Sequence, residues 1–177
     1  MRGNESSFIR LGDSPLTFVI VPGTERAYAA HYVDIDGKKR KKNCHASASC
    51  PYCQNGIKLF KGVYVIGLAK GGALGFIDLK PGLIKQLIVF ARKNGLTLSA
   101  FLNKKLLTIS REIKDNYTEY HIEGVKLSDV DHDALMRSIY EGKNSDVMMK
   151  LLERLESLVA PGSADEDCKP QKDLNSL

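Results

Sequence analysis

Three of the four cysteines, Cys44, Cys50 and Cys53, fall within ten positions, directly after the basic run Lys38-Lys39-Arg40-Lys41-Lys42. Two thiolates separated by two residues can grip one metal ion from a tight turn, and Cys50-Pro51-Tyr52-Cys53 followed by Gly56 has the composition of such a turn. Cys44 adds a third sulfur, with five residues between it and Cys50. The fourth ligand must come from elsewhere, because Cys168 stands remote in a polar tail. His45 is adjacent to Cys44, and neighbouring side chains rarely aim at one ion without strain. His31 has twelve residues between it and Cys44, and Asp36-Gly37 between them is a hairpin signal that folds one strand back beside the next. The set is therefore read as His31, Cys44, Cys50 and Cys53 around a structural zinc, with His45 the alternative to His31. Four protein ligands leave no open position, so the metal holds structure rather than catalysing. The competing readings are a redox pair, which normally opens a helix in a βαβ setting, and incidental small residues.

The elements that must position this cluster read as strands over the first ~124 residues. LTFVIV (Leu16 to Val21) closes at Pro22-Gly23, and RAYAAHYVD (Arg26 to Asp34) leads through Asp36-Gly37 into the basic run. GVYVIGLAK (Gly62 to Lys70) and ALGFIDL (Ala73 to Leu79) flank Gly71-Gly72; LLTISRE (Leu106 to Glu112) and YTEYHIE (Tyr117 to Glu123) flank Lys114-Asp115-Asn116. Strands arriving in hairpins make an antiparallel sheet, and this many short ones suit a small barrel. One helix interrupts them: Pro81 marks its start, Gly95 its stop, and Leu83, Ile84, Leu87, Ile88 and Ala91 form its apolar face.

Beyond residue 124 the pattern becomes helical. Ser128 to Tyr140 and Ser145 to Val159 flank Gly142, and the second carries the stripe Val147, Met148, Leu151, Leu152, Leu155, Leu158 and Val159. That stripe packs on the body or, alternatively, presents a dimer or partner face. Residues 161–177 are polar and aperiodic, the composition of a flexible, weakly acidic tail.

Hydrophobic content of 43% and charged content of 27% suit a globular chain. No apolar run reaches the ~20 residues of a membrane span, and the polar N-terminus does not read as a signal peptide, so an intracellular protein with reduced thiols is expected. Residues 1–70 carry 11 Lys/Arg against 5 Asp/Glu, residues 71–124 carry 8 against 5, and residues 125–177 carry 7 against 11. A basic body joined to an acidic end is either ordinary surface drift or a cationic face for a polyanion.

The order His31, Cys44, Cys50-x-x-Cys53, with CPYCQNGIK (Cys50 to Lys58) leading into VYVIGLAK, resembles the zinc subdomain of the T-even phage helix-destabilising proteins, and more broadly a phage and viral group of single-stranded DNA-binding proteins. The resemblance extends over about residues 8–124 and is most specific around Cys44 to Lys58. It departs in the shorter gap between Cys44 and Cys50 and in a tail whose Asp165, Glu166 and Asp167 are diluted by Lys169 and Lys172. It implies a mainly β fold with appended helices: an OB-fold domain over 1–124, a zinc subdomain at about 31–58, and a helical region over 125–160. It further implies single-strand binding with little sequence preference in replication, recombination or repair. Replication or recombination proteins are candidate partners through the C-terminal region, and the location is a host cytoplasm or a nucleoid.

Such binding needs cations that track phosphates and aromatic faces that stack on bases. Tyr28, Tyr32, Tyr52, Phe60 and Tyr64 are the candidate platforms, and Lys38, Arg40, Lys42, Lys58, Lys70 and Arg111 the candidate phosphate contacts. Strand alternation makes Lys38, Arg40 and Lys42 one set and turns Tyr28 and Tyr32 away from His31. Phe8, Phe18 and Phe90 are assigned to packing. The rival reading is a zinc-ribbon-like module that meets RNA, duplex DNA or a protein.

Catalytic motifs are scarce. KGGALG (Lys70 to Gly75) lacks the ending of a phosphate-binding loop. DVDHD (Asp129 to Asp133) sits where acidic residues suit a helix start, although a metal-dependent nuclease could use it. No enzyme activity is expected.

Overall fold

The computed structural model describes residues 8–44 and 48–160. Asp36 and Gly37 both adopt positive φ, 54° and 71°, the backbone that a two-residue hairpin loop requires. They join β2 (Arg26–Ile35) to β3 (Lys38–Asn43) in antiparallel register from Ile35 opposite Lys38 to Ala30 opposite Asn43. The basic run is thus an edge strand. β1 (Leu16–Ile20) and β2 lie in succession along one edge of the long β4 (Leu59–Ala69), and β5 (Leu74–Leu79) takes its other edge. β1 also pairs with β6 (Lys105–Ile113), which pairs with β7 (Thr118–Lys126).

Between β1 and β2 the Pro22-Gly23 break interrupts the ladder, and a side chain repairs it. Buried Thr24 donates its hydroxyl to the Val21 carbonyl at 2.7 Å and accepts from the Ile66 N–H at 3.0 Å, standing in for a backbone acceptor.

Both faces of the central strands are buried, which explains their near-continuous apolar runs. Alternation sends Phe18, Ile20, Val65, Ile77 and Leu79 to one core, completed by Leu83, Leu87 and Ala91 of α2 (Pro81–Lys93). It sends Val19, Val21, Tyr64, Ile66 and Phe76 to a second core on the other face. That second core is closed by α4 (Asp129–Tyr140), through Ile139, and α5 (Lys143–Val159), through Met148, Leu151 and Leu155. The α5 stripe therefore packs on the sheet, except for exposed Val147. Two short helices complete the set: α1 (Pro51–Gln54), and α3 (Leu98–Leu102), which the sequence pattern did not reveal.

The strand pairings do not close a barrel. The edge of β5 meets residues 8–9 instead of β7, with a parallel bridge from Phe8 to Phe76 and the Ile9 N–H donating to the Phe76 carbonyl at 2.8 Å. Gln86 of α2 occupies the free edge of β7, accepting from the Tyr120 N–H at 3.0 Å and donating to the Thr118 carbonyl at 3.2 Å. Among the described residues, no helix is long and apolar enough to cross a membrane. The readings for His45 and for the tail over 161–177 fall outside the described residues.

Candidate metal centre and the surface beside it

The hairpin register decides which side chains can meet. His31 stands opposite Lys42, and the Cys44 N–H extends the ladder by donating to the Ala29 carbonyl at 2.8 Å. Positions 29, 31, 42 and 44 therefore share one face, which carries His31 and Cys44 together. On its other side His31 lies opposite Leu59, where the chain re-enters the sheet after the cysteine turn. Pro51 opens the single turn of α1, and the Gln54, Asn55 and Gly56 N–H groups bond back to the carbonyls of Cys50, Pro51 and Cys53. This knuckle turns both of its thiols toward the imidazole.

The four ligand atoms lie within 4.8 Å of one another. Cys44 Sγ is 3.7 Å from Cys50 Sγ and 3.5 Å from Cys53 Sγ. His31 Nε2 is 3.7 Å from Cys50 Sγ and 3.4 Å from Cys53 Sγ. A regular tetrahedron with bonds of about 2.3 Å to sulfur and about 2.05 Å to nitrogen has sulfur–sulfur edges of about 3.8 Å and sulfur–nitrogen edges of about 3.6 Å. The residues thus fit a four-coordinate ion of that size. His31 Nδ1 faces the Ile57 carbonyl at 2.9 Å and the Lys58 carbonyl at 3.2 Å. A proton on Nδ1 satisfies these acceptors and leaves the Nε2 lone pair directed at the cluster, the usual backing of a metal-ligating histidine.

His31, Cys44 and Cys50 are buried, whereas Cys53 lies at the exposed rim. Hydrogen bonding with the Cys44 thiol, more than burial, pushes the Cys53 thiol up to about 11. Packed thiols resist ionising beside one another, and a bound cation reverses that preference.

Two other groups of potential ligands lack this burial or this convergence. Glu112, Glu119 and His121 cluster on the exposed β6–β7 hairpin, where Lys114 already bridges both carboxylates at 2.8 and 3.6 Å. In DVDHD, Asp129 pairs with Lys104 at 2.8 Å, and Asp131 exchanges hydrogen bonds with the N-cap Ser128. His132 is buried with neither ring nitrogen hydrogen-bonded. Among the described residues, Glu112, Glu119 and His121 thus bring ligand atoms within 4.8 Å of one another but stand exposed and already paired with Lys114, whereas the DVDHD side chains do not converge on one ion.

The aromatic candidates separate into two groups. Tyr28 and Tyr64, expected on the surface, are buried, with ring centroids 4.7 Å apart. Their faces meet Lys41, whose Nζ lies 3.3 Å from the Tyr28 centroid and 4.4 Å from that of Tyr64 and donates to the Tyr64 hydroxyl at 2.7 Å. Tyr28 donates to Asp78 at 2.7 Å, and Lys41 reaches the same carboxylate at 3.4 Å. Gly62 permits this stack, since a Cβ there would come within 2.4 Å of the Tyr28 ring. Burial, ahead of Asp78, raises the pKa of both phenols, and burial lowers Lys41 to about 8 against the opposing pull of Asp78. Tyr32 and Phe60, in contrast, are half-buried with centroids 5.2 Å apart, and Lys58 Nζ stands 5.4 Å from the Phe60 ring. Tyr52, half-buried on α1, has its ring 5.5 Å from that of His31.

The cations also divide differently from expectation. Lys38, Arg40 and Lys42 do form one set, but on the His31 face of the hairpin, away from Tyr28 and Tyr32. Lys39 and Lys41 share the tyrosine face, because Tyr32 stands opposite Lys41 and Asp34 opposite Lys39. Lys70 is exposed at the far end of β4 from the cysteine cluster, and Arg111 on β6 pairs with Asp13 at 3.2 Å. The two-residue Asp36-Gly37 loop by itself implies the pairing of Lys41 with Tyr32. Asp78 had no such signal, because its role depends on the β4–β5 register. No family model matches the chain, and neither does any curated protein.

Proposed function

We propose that this protein binds single-stranded DNA with little sequence preference, on an OB-fold-like framework pinned by a structural zinc, and protects single strands in replication, recombination or repair without catalysis. The observation that carries this reading is the surface on the other face of the β2–β3 hairpin from His31, where Tyr32 and Phe60 meet, Lys58 stands near the Phe60 ring and Lys39 shares the strand face. Rings within reach of cations are what a sequence-tolerant single-strand site requires: stacking of about 1–3 kcal/mol per base, with ammonium groups for the phosphates.

Three thiolates and an imidazole favour zinc among the common metals, and four protein ligands suit a structural site. Bound there, zinc supplies cross-linking rather than chemistry. Its protein ligands tie β2, the end of β3 and the knuckle before β4 together, beside Lys58 and Phe60.

The OB-fold reading draws on connectivity. β1 and β2 act as one broken strand pairing with both β4 and β6, β4 turns into β5, α2 follows, and β6 turns into β7. A five-stranded, partly open Greek-key barrel has this plan. The outer β4–β5 face is covered by α4 and α5, which favours the Tyr32–Phe60 end of the sheet for the strand.

The test is a titration of the zinc-loaded chain with oligo-dT and a matched duplex at two salt concentrations. Tighter binding to oligo-dT, weakening as salt rises and reduced about ten-fold in Phe60→Ala, is expected. Equal or tighter binding to duplex would sink the proposal and favour the zinc-ribbon-like alternative.

A further inference from the structure

The seam between β5 and β7 holds a cavity of about 590 Å³ that the single-strand surface does not use. Residues 8–12 form one wall, fastened at both ends: Ile9 N–H to the Phe76 carbonyl, and the Arg111 N–H to the Gly12 carbonyl at 3.0 Å. Around it stand Arg10, Lys80 and Arg111, the rings of Phe8 and Tyr120, and the carboxylate of Asp78. The acid does not cancel the cations, since Asp78 is already engaged by the Tyr28 hydroxyl at 2.7 Å and by Lys41 at 3.4 Å. The Arg111 side chain uses Nε on exposed Asp13, leaving its two terminal nitrogens for a ligand. Tyr120 is half-buried and packs against the first core, which backs its ring as a wall of the cavity.

A cavity of this size with apolar walls and a few convergent polar groups has the make-up of a small-molecule site, and its cations beside an aromatic ring suit an anion with a flat apolar part. We propose that the seam cavity binds one nucleoside phosphate, the base against Tyr120 and the phosphate among Arg10, Lys80 and Arg111. Two sources share this chemistry, a free nucleotide and one unit of a bound strand. The assignment does not rest on the single-strand reading, because Phe60 and Lys58 lie outside the cavity, although Tyr32 is within electrostatic reach of its Asp78 and Tyr120.

The experiment is calorimetric titration of the zinc-loaded full chain with dTMP, thymidine and inorganic phosphate. Saturable binding of dTMP, with thymidine and phosphate each weaker by about ten-fold or more, is expected. Arg111→Gln and Lys80→Gln, both surface changes, should each weaken dTMP by about ten-fold while the thermal midpoint stays in place. Competition of dTMP against oligo-dT identifies a strand subsite, and simultaneous binding identifies a free-nucleotide site; either supports the assignment. Absence of dTMP binding at millimolar concentration, or binding unchanged in both variants, overturns it. Loss of oligo-dT binding with dTMP binding intact would instead refute only the single-strand proposal.

Discussion

Replacing His31 by alanine tests the metal centre at its most constrained ligand. His31 is fully buried, its Nε2 lies 3.4 and 3.7 Å from two sulfurs, and its Nδ1 faces the Ile57 carbonyl at 2.9 Å. Structural zinc contributes about 10–16 kcal/mol in small zinc-dependent peptides, so an even division over four ligands assigns the imidazole about 3 kcal/mol. In a domain of this size, that corresponds to a fall of about 6–12 °C in the thermal midpoint. The loss should be local at lower temperature, because neither apolar core contains a described residue between 44 and 58. Chelation of the wild type should therefore lower its midpoint toward that of His31→Ala while the far-UV signature of the sheet persists at 25 °C. The same chelator should leave the variant nearly unmoved. Native mass spectrometry should find one metal per wild-type chain and a variant that yields its metal to a competing chelator. A wild type without metal, or a variant keeping both its metal and the wild-type midpoint, would refute the ligand set.

Other expectations follow from the buried polar groups. Burial lowers Lys41 to about 8 from 10.5, so between these pH values the unfolded chain binds more protons and stability rises with pH. The gain is about 1–3 kcal/mol after allowance for partial exposure, and Lys41→Met should abolish it in urea midpoints taken at pH 7.5 and 9.5. Above pH 10 the raised phenols of Tyr28 and Tyr64 act oppositely, because the unfolded chain releases their protons first; stability should turn downward there. Thr24→Val strands the buried Ile66 N–H and should cost about 1–3 kcal/mol by urea denaturation, while Thr24→Ser, which keeps the hydroxyl, should cost less. If Val and Ser prove equivalent, the hydroxyl does not bridge the ladder. His132→Leu removes two unsatisfied buried nitrogens and should stabilise by about 1 kcal/mol; a loss would mean the imidazole has a partner.

The metal ligands were legible because their signals are local. A Cys-x-x-Cys turn, and a hairpin loop whose two central residues are Asp and Gly, set their own geometry within a few residues. Counting back from that loop brings His31 and Cys44 to one face without knowledge of the remaining fold. Helix α2 was legible for the same reason, since Pro81, its apolar spacing and Gly95 mark its start, face and end. Thr24 and α3 were not. Thr24 matters only because Ile66 lies across a ladder gap more than forty residues away, and α3 is one turn too short to show a period.

The aromatic residues show where the local rules stop. Alternation correctly turned Tyr28 and Tyr32 away from His31, but it carries no information about what covers that face. Only the pairing of β2 with β4, and of β4 with β5, stacks Tyr28 on Tyr64 beneath Lys41, while Tyr32 and Phe60 remain half-buried beyond it. The expectation of a small barrel met the same limit, because hairpins specify neighbouring strands but not whether the first and last edges meet. The sequence alone determined the candidate ligand cluster, the hairpins and helix α2, all set by contacts within a turn or a strand period. Tertiary structure decided which tyrosines are core, which cations share their face, and that residues 8–12 and Gln86, rather than a strand pair, occupy the edges of β5 and β7. Those outcomes depend on contacts between segments distant in the chain, whose relative placement no local pattern encodes.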